Sequence, residues 1–307
     1  MPVLPFVLSL LVAGAPVSGQ ELPRYGVVFS GHSTAERTDY DLYRVCADGS
    51  QLAALVVAPE HQFQASVSPD GTWMVYTTVT DTTEGRALVR RALPAGTDST
   101  LAPHPADDTG PAIGPAGRRV AFASTRDAEK PEIYVLEVAT GVVTRLTHDA
   151  RHDSGVAWLP DGSGVLFTRY TPGVEGASGS GDVVRLDLAT GEETVLTDLG
   201  GYSGGLDVRG DGGAVVFHRT AEGGSELWRM DADGRDARPL TDTFVDEYEP
   251  RYSPDGAWLL FTAGTEHDGR GTFDLYLMPS EGGEVRRLTD AAGTEGWARW
   301  RPGVYCR

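Results

Sequence analysis

The sequence predicts an all-β fold, a six-bladed β-propeller built from four-stranded antiparallel blades. Short apolar runs bounded by turn residues recur along the chain and are too brief for helices, which indicates strands. A tight turn that ends in glycine returns every 44 to 50 residues, at Gly71, Gly117, Gly162, Gly212 and Gly256. Four strands in a repeat of this length are typical of a propeller.

The repeat is clearest between Asp246 and Asp290, where we name its four predicted strands a, b, c and d. Strand a precedes the turn Ser253-Pro254-Asp255-Gly256, and strands b, c and d cover 258–262, 274–278 and 285–290. Neighbouring strands run in opposite directions, so the d-to-a and b-to-c loops share one face of the ring. Insertions confined to one loop class mark a binding face, and the b-to-c loops are the long ones at Tyr170–Gly181 and Thr265–Gly271.

The two ends of the chain supply complementary parts of one repeat. Residues 25–57 read as strands b, c and d without strand a, and Gly296–Pro302 reads as a strand a alone. We therefore expect the C-terminal strand to pair into the N-terminal blade and close the ring, because closure removes free sheet edges. Cys46 and Cys306 both fall in this shared blade, so a disulfide at the closure and two free thiols are the alternatives.

The first residues indicate export. Met1–Gly19 carries no charged side chain and is mostly apolar before small residues, which resembles a signal peptide cleaved after Gly19; the alternative is a buried first strand. The expected organisation is a signal peptide over 1–19 and a single propeller domain over 20–307, in the periplasm or outside the cell. No later run of 18 apolar residues exists, so we expect no membrane insertion.

The charge balance argues against nucleic acid as a partner. The chain has 26 basic and 44 acidic residues, a formal net charge of −18, and Lys130 is its one lysine. Phosphate backbones would be repelled by such a surface.

The repeat resembles that of the TolB β-propeller family. The resemblance rests on Ser253–Asp290, with Ser-Pro-Asp-Gly, Asp-Leu-Tyr and Leu-Thr-Asp in order, and on Glu132-Ile133-Tyr134 followed by Leu146-Thr147. It extends over the chain after the signal segment. The resemblance implies a propeller, whereas the α/β domain that precedes the propeller in TolB proteins is expected to be missing. The same repeat serves transport accessories, peptidase gating domains and some lyases, so it predicts fold better than function.

The candidate ligand-binding residues lie at the predicted channel mouth formed by the d-to-a and b-to-c loops. Most are acidic, and two are imidazoles. They are Glu60, His61, Asp107, Asp108, His152, Asp153, Tyr202, Asp246, Glu247, Glu249, Glu295 and Trp297. Three interpretations stay open: solvated loop acids, a divalent cation site with His152 and Asp153 as first ligands, or a receptor for a cationic protein segment.

Two function classes follow. The first is a non-catalytic, monomeric scaffold that binds a protein segment or peptide at the mouth and needs no cofactor, since no complete catalytic constellation is recognised. The second is a metal-dependent lyase or hydrolase at the same place, which would require three or more His, Asp or Glu side chains to converge. A regulatory propeller detached from a peptidase is a further alternative.

Overall fold

The fold was analysed in a computed structural model. It describes residues 21–32, 39–79, 85–93, 96–149, 151–173, 179–222, 224–242, 246–264, 272–290 and 293–306. The predicted signal peptide and most of the two long b-to-c loops lie outside these residues.

The described chain forms β-strands joined by tight turns and loops. The first twelve are β1 (Tyr25–Gly31), β2 (Asp41–Cys46), β3 (Ala53–Val56), β4 (Gln62–Val67), β5 (Trp73–Val79), β6 (Arg86–Ala92), β7 (Asp98–Leu101), β8 (Asp108–Ile113), β9 (Arg119–Ser124), β10 (Glu132–Glu137), β11 (Val143–Arg145) and β12 (His152–Trp158). The others are β13 (Gly164–Thr171), β14 (Ser180–Asp187), β15 (Glu193–Val195), β16 (Tyr202–Val208), β17 (Ala214–Ala221), β18 (Gly224–Asp231), β19 (Arg238–Pro239), β20 (Glu247–Tyr252), β21 (Trp258–Gly264), β22 (Phe273–Pro279), β23 (Arg286–Arg287) and β24 (Glu295–Tyr305). In these strands and loops no helix has the length and apolar character needed to cross a bilayer.

The all-β propeller fold is confirmed, but the prediction of six separate four-stranded blades is wrong. Four separate four-stranded blades are present in the described residues, in the orders β24-β1-β2-β3, β4-β5-β6-β7, β8-β9-β10-β11 and β20-β21-β22-β23. The strands from β12 to β19 belong to one eight-stranded sheet, in which β14 and β16 pair in parallel at Gly181 and Tyr202. The join is possible because residue 181 is glycine: a Cβ there would lie 2.5 Å from the Tyr202 ring.

The first strand of each predicted repeat lines the centre of the ring. These inner strands are neighbours in the order β4, β8, β12, β16, β20, β24, and β24 returns to β4. As predicted, the C-terminal strand completes the N-terminal blade: β24 pairs antiparallel with β1, with Val27 opposite Trp300 and Val28 opposite Arg299. Cys46 and Cys306 form a disulfide at this junction, with their Cα atoms 5.9 Å apart.

The core lies between the faces of adjacent sheets. In one cluster, Val27 and Trp300 of the closing blade pack against Trp258 and Leu260 of the blade that precedes it around the ring. Equivalent clusters fill the other spaces between neighbouring repeats, so the inner strands bury side chains on both faces, whereas the outer strands β15 and β19 are exposed.

The recurring Leu-Thr pair has a structural explanation. The threonine hydroxyl accepts a hydrogen bond from a strand-c amide 14 residues earlier in four repeats, through Thr147, Thr197, Thr241 and Thr289. In the first of these repeats the Thr147 hydroxyl also donates to Glu132, at 2.5 Å. Because all four threonines are buried, each hydroxyl satisfies a backbone donor that water cannot reach.

Candidate functional site

Every inner strand carries a β-bulge at the same level of the ring. A register shift interrupts the pairing of each one, and a residue with positive φ lies inside the shift. These residues are Gln64, Gly110, Gly155, Gly205, Glu249 and Trp297. Three of them are not glycine, although positive φ is costly for side chains such as tryptophan. Bulges change the direction of side chains and are common beside functional sites. We therefore expect a functional site at this level of the channel.

In each inner strand, the residue two positions after the positive-φ residue lines a central cavity of about 320 Å³. On one side they are small, and on the other side they are charged. In ring order they are Ser66, Ala112, Ala157, Asp207, Arg251 and Arg299. Turn residues Pro115, Pro160 and Pro302 also line this cavity, which places it toward the a-to-b turns and away from the predicted mouth.

Two arginines occupy the charged half of the channel. Arg251 donates to the carbonyl oxygens of Gly205, Leu206 and Pro250 and to the Glu249 carboxylate. The Arg299 Nη1 atom lies 3.9 Å from Glu249 Oε2. Burial and then the charge of Arg251 lower the pKa of Arg299 to about 9. Burial acts to raise the pKa of Glu249, but these cations hold it below its ordinary value, so the carboxylate stays ionised.

A second cavity, of about 310 Å³, lies at the predicted mouth, and we call it the mouth pocket. Its lining is mainly aromatic and apolar. The lining residues are Tyr40, His218, Tyr248, Glu249, Thr262, Phe273, Thr294, Glu295, Gly296 and Trp297. Three of the predicted residues, Glu249, Glu295 and Trp297, therefore meet here.

The aromatic walls of the mouth pocket are held by ring contacts. Trp297 packs edge-on against Tyr40, with ring centroids 5.2 Å apart, and also contacts Phe63. Opposite them, Tyr248 contacts Phe273 at 5.9 Å and His218 at 5.1 Å. The series continues from His218 through Tyr202 and Tyr170 to His152, so predicted residues Tyr202 and His152 line the same arc of rings.

Three of the predicted acids are buried and paired within the scaffold. Asp108 is bonded to Arg126 Nη2 at 2.7 Å, and Asp153 accepts two hydrogen bonds from Arg169, at 2.8 and 2.7 Å. The third, Glu247, accepts a hydrogen bond from the Thr241 hydroxyl. Asp108 and Asp153 hold the entrance of strand a against its own blade, and Glu247 joins it to the Leu-Thr end of the preceding repeat. These contacts leave few carboxylate oxygens available for a ligand.

The remaining predicted residues do not line the mouth pocket. Asp107 and Asp246 accept hydrogen bonds from the amides of Arg86 and Ser225 and so fix loop backbone. Glu60 lines a separate cleft between neighbouring blades that also contains Arg91 and Asp98. His61 Nδ1 lies 3.4 Å from the Tyr40 amide.

No metal centre is visible in the described ranges. No group of three or more His, Cys, Asp or Glu side chains there is arranged to hold a metal ion. His152 and Asp153, the first predicted ligands, are adjacent in sequence, but the Asp153 carboxylate is engaged by Arg169. Burial lowers the pKa of His152.

Sequence reasoning missed His218, Thr262 and the aromatic residues other than Trp297. A signal was present: His218 and Thr262 both lie six residues after a turn glycine, Gly212 and Gly256. They therefore occupy the same place in two neighbouring repeats. The prediction followed loop acids instead, although the end of strand b also reaches the mouth.

Comparison with known proteins agrees with the fold. A family model described as the TolB β-propeller domain matches residues 24–175. An uncharacterized protein of Agrobacterium fabrum is 28% identical over 188 residues, covering 60% of this chain and 62% of that protein. A TolB homolog of Chlorobium luteolum is 28% identical over 147 residues, covering 48% of this chain and 32% of the homolog. The chain thus spans less than two thirds of the length of these relatives.

A solved structure shows the same fold over most of the chain. The crystal structure of TolB from Acinetobacter baumannii superposes with a TM-score of 0.73 and 22% identity, covering 90% of this chain and 66% of that one. The repeat motifs, the ring of inner strands and these matches agree: residues 24–175 match the TolB β-propeller domain, and the chain has a TolB-like β-propeller fold.

Proposed function

We propose that this protein is an exported, non-catalytic scaffold that binds a segment of another protein, or a peptide, at the channel mouth. The observation that carries the proposal is the mouth pocket, an apolar concavity with aromatic walls and a few polar atoms at one end of a rigid ring. Pockets of this composition hold the anchor side chains of bound segments. The proposal requires no cofactor.

Several features support a binding role over a purely structural one. Glu249 and Trp297 line the pocket from positions with φ of 54° and 49°, a conformation that glycine would adopt at lower cost. Backbone strain that is kept at a cavity is typical of a functional position. The match of residues 24–175 to the TolB β-propeller domain and the leader-like residues 1–19 support a periplasmic or secreted location, and we infer that the protein acts as a monomer.

The test is selection of binding peptides on the purified protein, followed by affinity measurement on variants. Trp297→Ala removes one wall of the mouth pocket, and we expect at least a tenfold loss of affinity for the selected peptides. Val142→Ala, on an exposed turn next to β11, is the matched control and should leave affinity unchanged. Peptides that bind equally well to both variants would place binding elsewhere and refute the proposal.

A further inference from the structure

Arg299 lines the central cavity with one edge of its guanidinium group unpaired. Its Nη1 atom donates to the Ala298 carbonyl oxygen at 3.0 Å, whereas Nε and Nη2 have no hydrogen-bond partner among the described residues. The side chain is 24% exposed, and neither nitrogen is among the fully buried unpaired atoms, so both remain accessible to water. Nε and Nη2 form one edge of the rigid guanidinium fork and offer two N–H donors in the same direction.

The same edge of another arginine holds a carboxylate in this protein. Arg169 Nε donates to Asp153 Oδ1 at 2.8 Å, and Arg169 Nη2 donates to Asp153 Oδ2 at 2.7 Å. Two parallel hydrogen bonds of this kind are the strong, planar mode in which arginine binds a carboxylate. The corresponding edge of Arg299 has no such partner in the described chain, although the residue borders a cavity of about 320 Å³.

The opposite side of the central cavity leaves space for a bound group. Ser66, Ala112 and Ala157 contribute small side chains there, and the Ser66 hydroxyl already accepts a hydrogen bond from the Ile113 amide at 3.0 Å. The volume of the cavity is at the lower end of the range of about 300–1,000 Å³ that is typical of small-molecule sites. A short organic group therefore fits between the small residues and Arg299.

Positive charge predominates in the lining of the central cavity. Its charged residues are Asp207, Arg251 and Arg299, in a chain whose formal net charge is −18. Glu249 lines the mouth pocket instead, and its carboxylate accepts a hydrogen bond from Arg251. The same carboxylate is 3.9 Å from Arg299 Nη1, beyond hydrogen-bond range. Arg299 is therefore the less completely neutralised of the two cations.

The Arg299 cation is less stable in the cavity than it would be in water. Burial first, and the charge of Arg251 second, lower the pKa of Arg299 to about 9, although Glu249 and Asp207 act in the opposite direction. The guanidinium group still carries its proton at pH 7. A bound anion would offset the cost of this burial, because charges attract more strongly where contact with water is limited.

We propose that the central cavity is an anion site in which the Nε and Nη2 edge of Arg299 binds a carboxylate group. The two carboxylate oxygens match the two parallel donors, whereas an ammonium group would be repelled by both arginines. Two sources share this chemistry, a small organic acid and a carboxylate of a polypeptide segment. The inference goes beyond the proposed function, because the central cavity shares no lining residue with the mouth pocket.

The first experiment compares acetate with acetamide, its neutral analogue, by ligand-observed NMR on the purified protein at pH 7. Acetate is expected to bind with a dissociation constant on the order of 10 mM, and acetamide at least fivefold more weakly. Acetyl-glycylglycine tests the second source: tighter binding than acetate assigns the site to a polypeptide carboxylate, and weaker binding assigns it to a small acid. Equal binding of acetate and acetamide would overturn the proposal.

The second experiment measures acetate binding in variants of the charged residues. Arg299→Gln should weaken it at least fivefold, and Arg299→Lys, which keeps the charge but not the two-donor edge, should weaken it about threefold. Asp207→Asn keeps an acceptor for the Tyr252 amide and removes a negative charge, so it should bind acetate at least as tightly as the wild type. Arg235→Gln is the matched control, because that side chain is 82% exposed and does not line the cavity.

Two results from the variants would refute the site. Unchanged acetate binding in Arg299→Gln would place the anion elsewhere on the protein, and weaker binding in Asp207→Asn would show that the Asp207 carboxyl holds the ligand. If circular dichroism shows that Arg299→Gln does not fold, Arg299→Lys takes its place, and unchanged binding in that variant refutes the two-donor edge. Peptide binding at Trp297 concerns a different cavity, so the scaffold function and the carboxylate site stand or fail independently.

Discussion

At the level of single residues, burial changes the pKa of Glu295, a lining residue of the mouth pocket. Burial raises the pKa of this carboxyl to about 7 from an ordinary 4.5, and the Thr289 hydroxyl offsets only part of the effect. The folded protein therefore holds the proton more tightly than the unfolded chain does between about pH 4.5 and pH 7. Stability from this group is complete at low pH and is lost as the pH rises through that window.

Replacement of Glu295 by glutamine should remove this pH dependence. The uncharged amide has no ionised form to bury, so the variant should gain stability relative to the wild type between pH 5 and pH 8, by up to about 3 kcal/mol. Urea unfolding of both proteins at the two pH values measures the difference. A constant difference across this range would contradict the prediction.

At the scale of one element, the bulge in each inner strand sets which side chains reach the channel. Gly110 and Gly205 occupy equivalent bulges with φ of 60° and 62°. Their surroundings differ: a Cβ on Gly110 meets nothing within 4 Å, whereas a Cβ on Gly205 would lie 2.6 Å from His218 Nδ1. Gly110 is therefore needed only for its backbone conformation. Gly205 is needed for the same conformation and also because a larger residue would collide with His218.

Alanine substitution at Gly110 and at Gly205 should separate the cost of positive φ from the cost of close packing. Gly110→Ala should lower the free energy of unfolding by about 1 kcal/mol, the cost of positive φ alone. Gly205→Ala should cost at least about 2 kcal/mol more, because its methyl group must displace His218 or the Glu249 backbone. Denaturant unfolding of both variants tests this, and equal losses would show that the bulge at Gly205 can relax.

At the scale of the whole molecule, closure depends on one strand and one covalent bond. β24 pairs with β1, and the Cys46–Cys306 disulfide joins residues 260 positions apart. The strand pairing removes two free sheet edges, and the disulfide limits how far the unfolded chain can expand.

Loss of the disulfide should destabilise the ring without removing it. The double variant Cys46→Ser/Cys306→Ser should unfold about 2–5 kcal/mol more easily than the oxidised protein. Denaturant unfolding of the wild type with and without a reducing agent provides the comparison, and the reductant should have no effect on the double variant. An oxidised protein no more stable than the variant would show that strand pairing alone maintains closure.

The strands and the closure of the ring could be predicted from local sequence patterns. The turn glycines, the apolar runs and the split repeat predicted the strands, the propeller and the pairing of 297–300 with the first strand, because these depend on local turn chemistry and on edges that must be covered. The number of separate sheets was not determined in this way. Two repeats share one sheet because Gly181 and Tyr202 pair across them, and no local rule predicts that pairing.

The site, in contrast, depends on contacts that exist only in the folded chain. Asp108, Asp153 and Glu247 are loop acids in sequence, but the fold buries them against Arg126, Arg169 and Thr241. His218 and Thr262 are ordinary strand residues in sequence, yet the ring brings them together with Trp297, which lies far along the chain. A binding site depends on which side chains line the same cavity after folding, and here those side chains come from several repeats.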